Sequence, residues 1–506
     1  MTTRLLPERS RPRITHRAHA LRADAVARND AVLVMVAADL APAKWQALPR
    51  GAWLRAESTR RRCRAGGILS TRLDLRRHPL LVVGLRGARA STFETLQLAG
   101  RMLKEARAAQ PAQIALATLG LEESASQDAL ETLLAAALAS AFDLPSFKST
   151  RKDTTRIGHI TLFDPAGRDY VATFATAEGN NLARWLTALP GNELTPVTYR
   201  ERVRTLARRE GWRMRFFNRR SLEHRGAGAF LAVAQGSEND GAGIIHLQYR
   251  GANRSRGARL ALVGKGICFD TGGTNLKTHK SMLEMHIDMG GSAVALGTLL
   301  ALTRLRVPYR VDCWLAVAEN RIGPKAYKPQ DVVTASNGTT IQVIHTDAEG
   351  RMVLADALVL AGQERPTLIL DFATLTGACV NALTERYSGV FTNRRQWRDR
   401  LEAAGSASGE RVWCFPMDED YDAELESANA DILQCLADGK GDHIYAARFL
   451  SRFVPHGIPW AHIDLASAQR NGGLAHISTD ITGFGVRYAV NLLTEQGLLE
   501  QAQREP

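Results

Sequence analysis

The chain has 506 residues, 45% hydrophobic, 23% charged and 6% aromatic, with a formal net charge of +13. This composition excludes disordered, collagenous and fibrous chains, and the length suggests about two to four domains, each able to bury its own core. Six cysteines without a C-x-x-C pair argue against a disulfide framework or a thiolate zinc cage, and for a reducing cytoplasm.

The first 30 residues carry Arg4, Arg9, Arg11, Arg13, Arg17, Arg22 and Arg28 but no apolar stretch, so a secretory signal is excluded. Pro7 and Pro12 break any amphipathic helix early, and residues 1–30 read as a basic, disordered arm, with an organellar transit peptide as the alternative. Next come a strand at 32–37, a strand at 80–85, a helix at 93–109, a strand at 114–118, a helix at 126–141 and a strand at 160–163. This alternation predicts a smaller N-terminal α/β domain over 31–167, closed by the turn Asp164-Pro165-Ala166-Gly167. No apolar run approaches the roughly 20 residues needed to cross a bilayer, so no membrane span is expected.

A helix at 175–186 leads into the Pro- and Gly-broken stretch 189–196. Strands at 244–249, 260–263, 310–317 and 367–372 then alternate with helical runs. The pattern predicts a larger α/β domain over 168–506, its sheet covered by helices on both faces and its site at the strand ends. Arg60, Arg61, Arg62 and Arg64 form one basic cluster, and Arg208, Arg209, Arg213, Arg215, Arg219 and Arg220 another. They read either as solvated surface or as a polyanion-attracting patch, without a nucleic-acid recognition motif.

Four segments of this half, 265–277, 284–291, 346–351 and 370–379, hold more polar residues than a connecting loop needs. Lys265 and Asp270 frame a strand exit, followed by Gly272, Gly273 and Lys277, where glycines permit close backbone approach. Asp288 precedes Gly290, Gly291 and an Ala/Leu-rich helix, and by itself reads first as a helix-dipole partner. Asp347 and Glu349 stand two apart, so an extended backbone projects both to one side, with a helix behind them. Two acids held this close repel one another unless a cation lies between them. Asp270, Asp288, Asp347 and Glu349 are hard oxygen donors, enough for a pair of divalent metals; Lys265 coordinates only as a neutral amine.

The string Thr346-Asp347-Ala348-Glu349-Gly350-Arg351-Met352-Val353-Leu354-Ala355-Asp356-Ala357 resembles the signature of the leucyl (cytosol) aminopeptidase family of metallopeptidases. Gly264-Lys265-Gly266 to Gly273, Lys277, Met285 to Gly291, and Asp371 to Ala378 join it in family order. So do Trp460-Ala461-His462-Ile463-Asp464 and Thr482 to Arg487. The resemblance covers about 180–488; the N-terminal part matches only in its α/β character.

The resemblance implies a two-domain subunit, with a macro-like N-terminal domain and a catalytic domain built on a mixed central sheet, assembled as a homohexamer. It further implies two divalent metal ions per subunit, Mn or Zn foremost, with Mg or Co compatible. Lys265, Asp270, Asp288 and Glu349 would hold the tighter ion, and Asp270, Asp347 and Glu349 the more exchangeable one. Lys277 would polarise the scissile carbonyl, and Arg351 would hold a bicarbonate acting as general base. Met285, Thr374, Leu375 and Gly377 match positions near the first side chain of a peptide, which points to a broad, Leu- or Met-like preference. A DNA-binding or regulatory protein on the same scaffold is the rival, motivated by the basic clusters.

Departures from the family pattern lie close to the site. His345 stands where asparagine is usual and reads as a further ligand or as a neighbour of the ligands. Thr271 replaces serine, and Asn275 and His279 are also atypical. His462 reads as structural, and Cys268 and Cys379 as small core residues, not nucleophiles.

Overall fold

The structure, a computed structural model, describes all residues except 1–4, 8–10, 151–154, 238–240, 253–256, 456 and 506. β1 (Arg13–Arg17), β2 (Ala31–Ala37), β3 (Ile68–Arg72), β4 (Leu80–Arg86), β5 (Gln113–Leu119) and β6 (His159–Phe163) form one sheet in the order β1-β6-β5-β2-β4-β3. All neighbours are parallel except β3 with β4. β2 is a Val, Leu, Met and Ala run buried on both faces, as a covered parallel sheet requires. The helices Thr92–Arg107 and Glu123–Ser140 cover one face of this sheet, and Trp45 and Leu54 help to cover the other. The first of these helices opens on a capping box, in which Ser91 Oγ accepts the Glu94 N–H and the Glu94 carboxylate accepts the Ser91 N–H at 2.8 Å.

The expected disordered arm is corrected over part of its length. β1 adds in parallel to the edge of β6, Arg13 beside His159 through Arg17 beside Phe163, and so satisfies backbone groups that an open edge leaves unpaired. Arg11 forms an ion pair with Glu178, and Arg202 Nη1 donates to the Leu5 carbonyl at 3.0 Å, so polar contacts tie the arm down. Arg4 and Arg9 lie outside the described residues. The charges of Arg13 and Arg17 conceal the strand from a composition-based reading because both face solvent.

The second sheet takes β7 (Arg213–Asn218), β8 (Gly243–Tyr249), β9 (Arg259–Asp270) and β10 (Arg310–Asn320). β11 (Val332–Thr334) and β12 (Thr340–Gln342) belong to a small third sheet with β16 (Ile432–Leu433). β13 (Leu368–Ala373), β14 (Ser388–Thr392), β15 (Val412–Cys414) and β17 (Trp460–Asp464) complete the second, in the order β15-β14-β17-β13-β9-β10-β8-β7. It is mixed, with β17, β13, β9 and β10 parallel at its centre, β14 antiparallel to β17, β8 antiparallel to both β10 and β7, and the edge strand β15 parallel to β14. The helices Val171–Thr187, Gly290–Arg304 and Val486–Thr494 pack on one face and Glu349–Gln363 on the other.

β9 runs to Asp270, well past the strand expected at 260–263. Gly264 and Gly266 do not end it. A Cβ on Gly264 would lie 2.5 Å from Ser292 Cα, and one on Gly291 2.2 Å from the Phe372 carbonyl oxygen. These glycines therefore serve close approach of the helix start at Gly290 to β9 and β13, not a turn. The run His279–Arg304 is apolar enough for its length to cross a membrane. However, a short 3-10 turn at Met285–Ile287 interrupts it, and 83% of its most apolar window is buried inside the fold, the position of a core helix.

The helices Val171–Thr187 and Gly290–Arg304 touch backbone to backbone. A Cβ on Gly179 would stand 2.3 Å from the Gly297 oxygen, and one on Gly297 2.5 Å from the Gly179 oxygen. Gly297→Ala is expected to wedge the pair apart and cost about 1–3 kcal/mol, read as a lower urea midpoint at unchanged slope. An unchanged midpoint would mean that the crossing yields without strain.

Candidate active site

β13, β9 and β10 are adjacent and parallel, so their carboxyl ends open on one side of the sheet, where a crevice of an α/β sheet forms. Asp270 ends β9 and Asn320 ends β10, and the register slips between Ala318 and Asn320, a bulge that sets Asn320 opposite Asp270. Asn320 Nδ2 donates to Asp270 Oδ1 at 2.8 Å and to the Thr346 carbonyl at 3.0 Å, and the Tyr327 hydroxyl donates to that same carbonyl at 2.7 Å. Asp270 Oδ1 also accepts the Gly272 N–H at 2.8 Å.

Ligand atoms of Asp270, Asp347 and Glu349 lie within 4.8 Å of one another. The reason differs from the extended backbone expected for Asp347 and Glu349. Ala348 has φ −106° and ψ 36°, and Glu349 is already the first residue of the helix Glu349–Gln363, so a turn into the helix brings the two acids together. Gln434 holds that turn, its Oε1 accepting the N–H groups of Ile344 and His345 at 3.1 Å and its Nε2 donating to the Ala348 carbonyl at 3.1 Å. Asp288 joins the cluster through Lys265, whose ammonium lies 2.9 Å from Asp288 Oδ2, 2.8 Å from Glu349 Oε1 and 2.9 Å from the Thr374 carbonyl. Lys277 Nζ lies 2.8 Å from Asp270 Oδ2 and also pairs with Asp347.

Four carboxylates thus meet two ammonium groups in a largely buried site. Burial pushes the Asp347 carboxyl up to about 7, with the charges of Asp270 and Glu349 adding to the shift against Lys277. Burial likewise pushes Asp288 well above the carboxylate range, against the pull of Lys265. Burial would lower both lysines, yet the surrounding carboxylates more than reverse it, and both are held above their ordinary value. Such a site is over-negative. Its all-oxygen acidic donors and its excess of anionic over cationic groups fit hard divalent cations.

Arg351 lies on the buried side of the helix Glu349–Gln363. Its Nη2 donates to both oxygens of Asp442 at 2.7 Å and its Nη1 to the Gln434 carbonyl at 3.2 Å. Thr374 Oγ1 donates to Asp288 Oδ1 at 2.8 Å. The Leu375 N–H and the Thr376 hydroxyl donate to Asp464 at 3.1 and 2.7 Å, which fixes the loop after β13. Gly377 faces open space, and Met285 is half-buried in its 3-10 turn. Asn320, Tyr327, Gln434 and Asp442 carry no local pattern that would have singled them out, and Asp464 stands out only as part of the family-like segment Trp460 to Asp464. Asn320 comes nearest, as a polar residue at a strand exit.

His345 Nδ1 accepts the Asp347 N–H at 3.2 Å, and burial followed by the Lys277 charge lowers its pKa, so this nitrogen holds the turn as a neutral acceptor. His462 is fully buried and bonded through Nδ1 to Asp371 at 2.6 Å, with Trp460 Nε1 on the other Asp371 oxygen. Burial pushes the thiols of Cys268 and Cys379 up, which suits inert core residues. Part of each basic cluster is paired locally: Arg60 and Arg61 with Glu57, Arg209 with Glu210, and Arg219 with Glu223.

Residues 181–490 match the model of the cytosol aminopeptidase family, catalytic domain. A probable cytosol aminopeptidase of Synechococcus sp. (strain WH7803) is 44% identical over 329 residues, 64% of this chain, and the match spans 66% of that relative, just under two thirds of its length. Among solved structures, the bottromycin maturation enzyme BotP in complex with Mn superposes at a TM-score of 0.82 and 30% identity, over 93% of this chain and 99% of that one. A mutant of tomato leucine aminopeptidase superposes at 0.84 and 26% identity, over 97% and 98%. With a site of this composition at the strand ends and a family match over more than half of its length, the chain belongs to the cytosol aminopeptidase family.

Proposed function

We propose that the protein is a metal-dependent aminopeptidase that hydrolyses the first peptide bond of peptides with a free amino terminus, preferring Leu- or Met-like first residues broadly. The observation that carries this reading is the over-negative cluster of Asp270, Asp288, Asp347 and Glu349 around Lys265 and Lys277. Asp270, Asp347 and Glu349, with Asp288 beside them, would hold two divalent cations, Mn or Zn foremost and Mg or Co also suited to the donors, and Lys265 would join them where a cation takes the place of its proton. Such ions, when bound, acidify a water and polarise a carbonyl.

The chain's own residues supply the rest. Asn320, Tyr327 and Gln434 keep the acidic turn in place. Lys277, 14% exposed against 3% for Lys265, is the ammonium nearer the opening, and it remains protonated at neutral pH. A charged donor there stabilises the oxyanion that develops on an attacked carbonyl. Thr374, Leu375, Gly377 and Met285 would line the recess for the first side chain, with apolar contacts that distinguish one methylene by only about 1–3 kcal/mol. Assembly as a homohexamer in the cytoplasm belongs to the same reading and rests on the family resemblance.

The test is release of product from leucyl-p-nitroanilide and from its N-acetylated form by metal-stripped protein, with Mn or Zn added back. Metal-restored activity on the free amine alone is expected. Equal cleavage of the acetylated compound, or full activity without metal, would overturn the reading.

A further inference from the structure

The bicarbonate that the family resemblance implies at Arg351 does not fit this chain. The Arg351 side chain is 2% exposed, and its terminal nitrogens are engaged by Asp442 and by the Gln434 carbonyl. Its Nε is buried without a partner, and one buried N–H does not make a seat for a planar two-oxygen anion. A second anion on this guanidinium would also meet the Asp442 carboxylate at close range, where charges are poorly screened.

Asp442 is fixed from its own side as well. It opens the helix Asp442–Ser451 behind Gly441, whose φ of 60° suits glycine, and a negative charge is favoured at a helix N-terminus. Its side chain is 25% exposed, so it reaches from the buried guanidinium towards solvent. Gln434 bonds both the acidic turn, at Ile344, His345 and Ala348, and Arg351 Nη1, so the Arg351–Asp442 pair lies beside the residue that holds that turn.

We propose that Asp442 is the built-in carboxylate of Arg351 and replaces an external bicarbonate as the proton acceptor of the reaction. The inference rests on the aminopeptidase reading. As a water oxygen bonds to the scissile carbonyl carbon, one of its O–H bonds breaks and the proton passes to Asp442. As the C–N bond breaks, the same proton passes to the leaving nitrogen, and Asp442 is ionised again. Arg351 orients the carboxylate through both of its oxygens, and no free anion is consumed.

Carbon-13-labelled bicarbonate, followed by NMR line broadening, and turnover in carbonate-depleted buffer test this together. The metal-loaded wild type is expected to show no saturable broadening and the same kcat with or without bicarbonate. Asp442→Ala is expected to lose about 100-fold in kcat, to bind bicarbonate saturably and to regain turnover with it, a rescue that a merely structural role would not give. Asp442→Ser serves the same purpose if the alanine variant does not fold. Saturable bicarbonate binding to the wild type that Arg351→Met removes, or unchanged kcat of Asp442→Ala without bicarbonate, would overturn the proposal. If the aminopeptidase reading fails, the wild type turns over no free-amine substrate, while the NMR arm still reports whether Asp442 fills the seat.

Discussion

Glu349→Gln and Asp270→Asn are each expected to lower kcat by at least about 1,000-fold while leaving the fold intact. Glu349 is buried and placed between Lys265 and the acidic turn, and Asp270 lies between Lys277 and Asn320. An amide keeps the shape and removes the charge, so two-cation binding fails without a cavity opening. In the metal-free protein each change relieves repulsion among the carboxylates, so the melting temperature should hold or rise. Steady-state kinetics with saturating Mn, beside far-UV circular dichroism and thermal melts, checks both halves. Near-normal kcat in both variants would sink the two-metal assignment.

Divalent metal is expected to stabilise the protein by about 4 kcal/mol at a thousand times its dissociation constant, and this increment should depend on pH. Asp347, raised to about 7 from an ordinary 3.8, is easier to protonate in the metal-free fold than in the unfolded chain. Its ionisation therefore costs the metal-free fold stability as pH rises from about 4 through 7. A bound cation needs the ionised form, so the metal increment is full above about 7 and shrinks as protons compete below it. Thermal melts with Mn and with a chelator at pH 6 and pH 8 separate the two trends. An equal increment at both values would mean that Asp347 does not gate metal binding.

The acidic donors and the Arg351–Asp442 pair adjoin but respond to different substitutions. Loss of activity in Glu349→Gln concerns the acidic donors alone. Bicarbonate rescue of Asp442→Ala concerns the seat on Arg351 alone. Both follow from one circumstance, that this site carries its charges in pairs and triads whose members come from separate elements.

Local patterns determined much of this protein. Hydrophobic runs at 32–37, 80–85 and 310–317 became β2, β4 and β10 because a covered parallel strand needs apolar residues on both faces. The segment from Thr346 to Ala357 marked the acidic turn and the family because its donors and its helix are contiguous. Tertiary structure decided what depends on partners far along the chain. β1 is a strand only because β6 offers an open edge, and Gly264 stays in β9 because β10 and β13 pair with it on both sides, while the helix from Gly290 leaves no room there for a Cβ. Asp288 reaches Glu349 only through Lys265, and Arg351 meets Asp442 from 91 residues away. Spacing along the chain cannot encode such pairings, since they exist only once the sheet has set its strand order and the buried charges have taken the partners that folding leaves within reach.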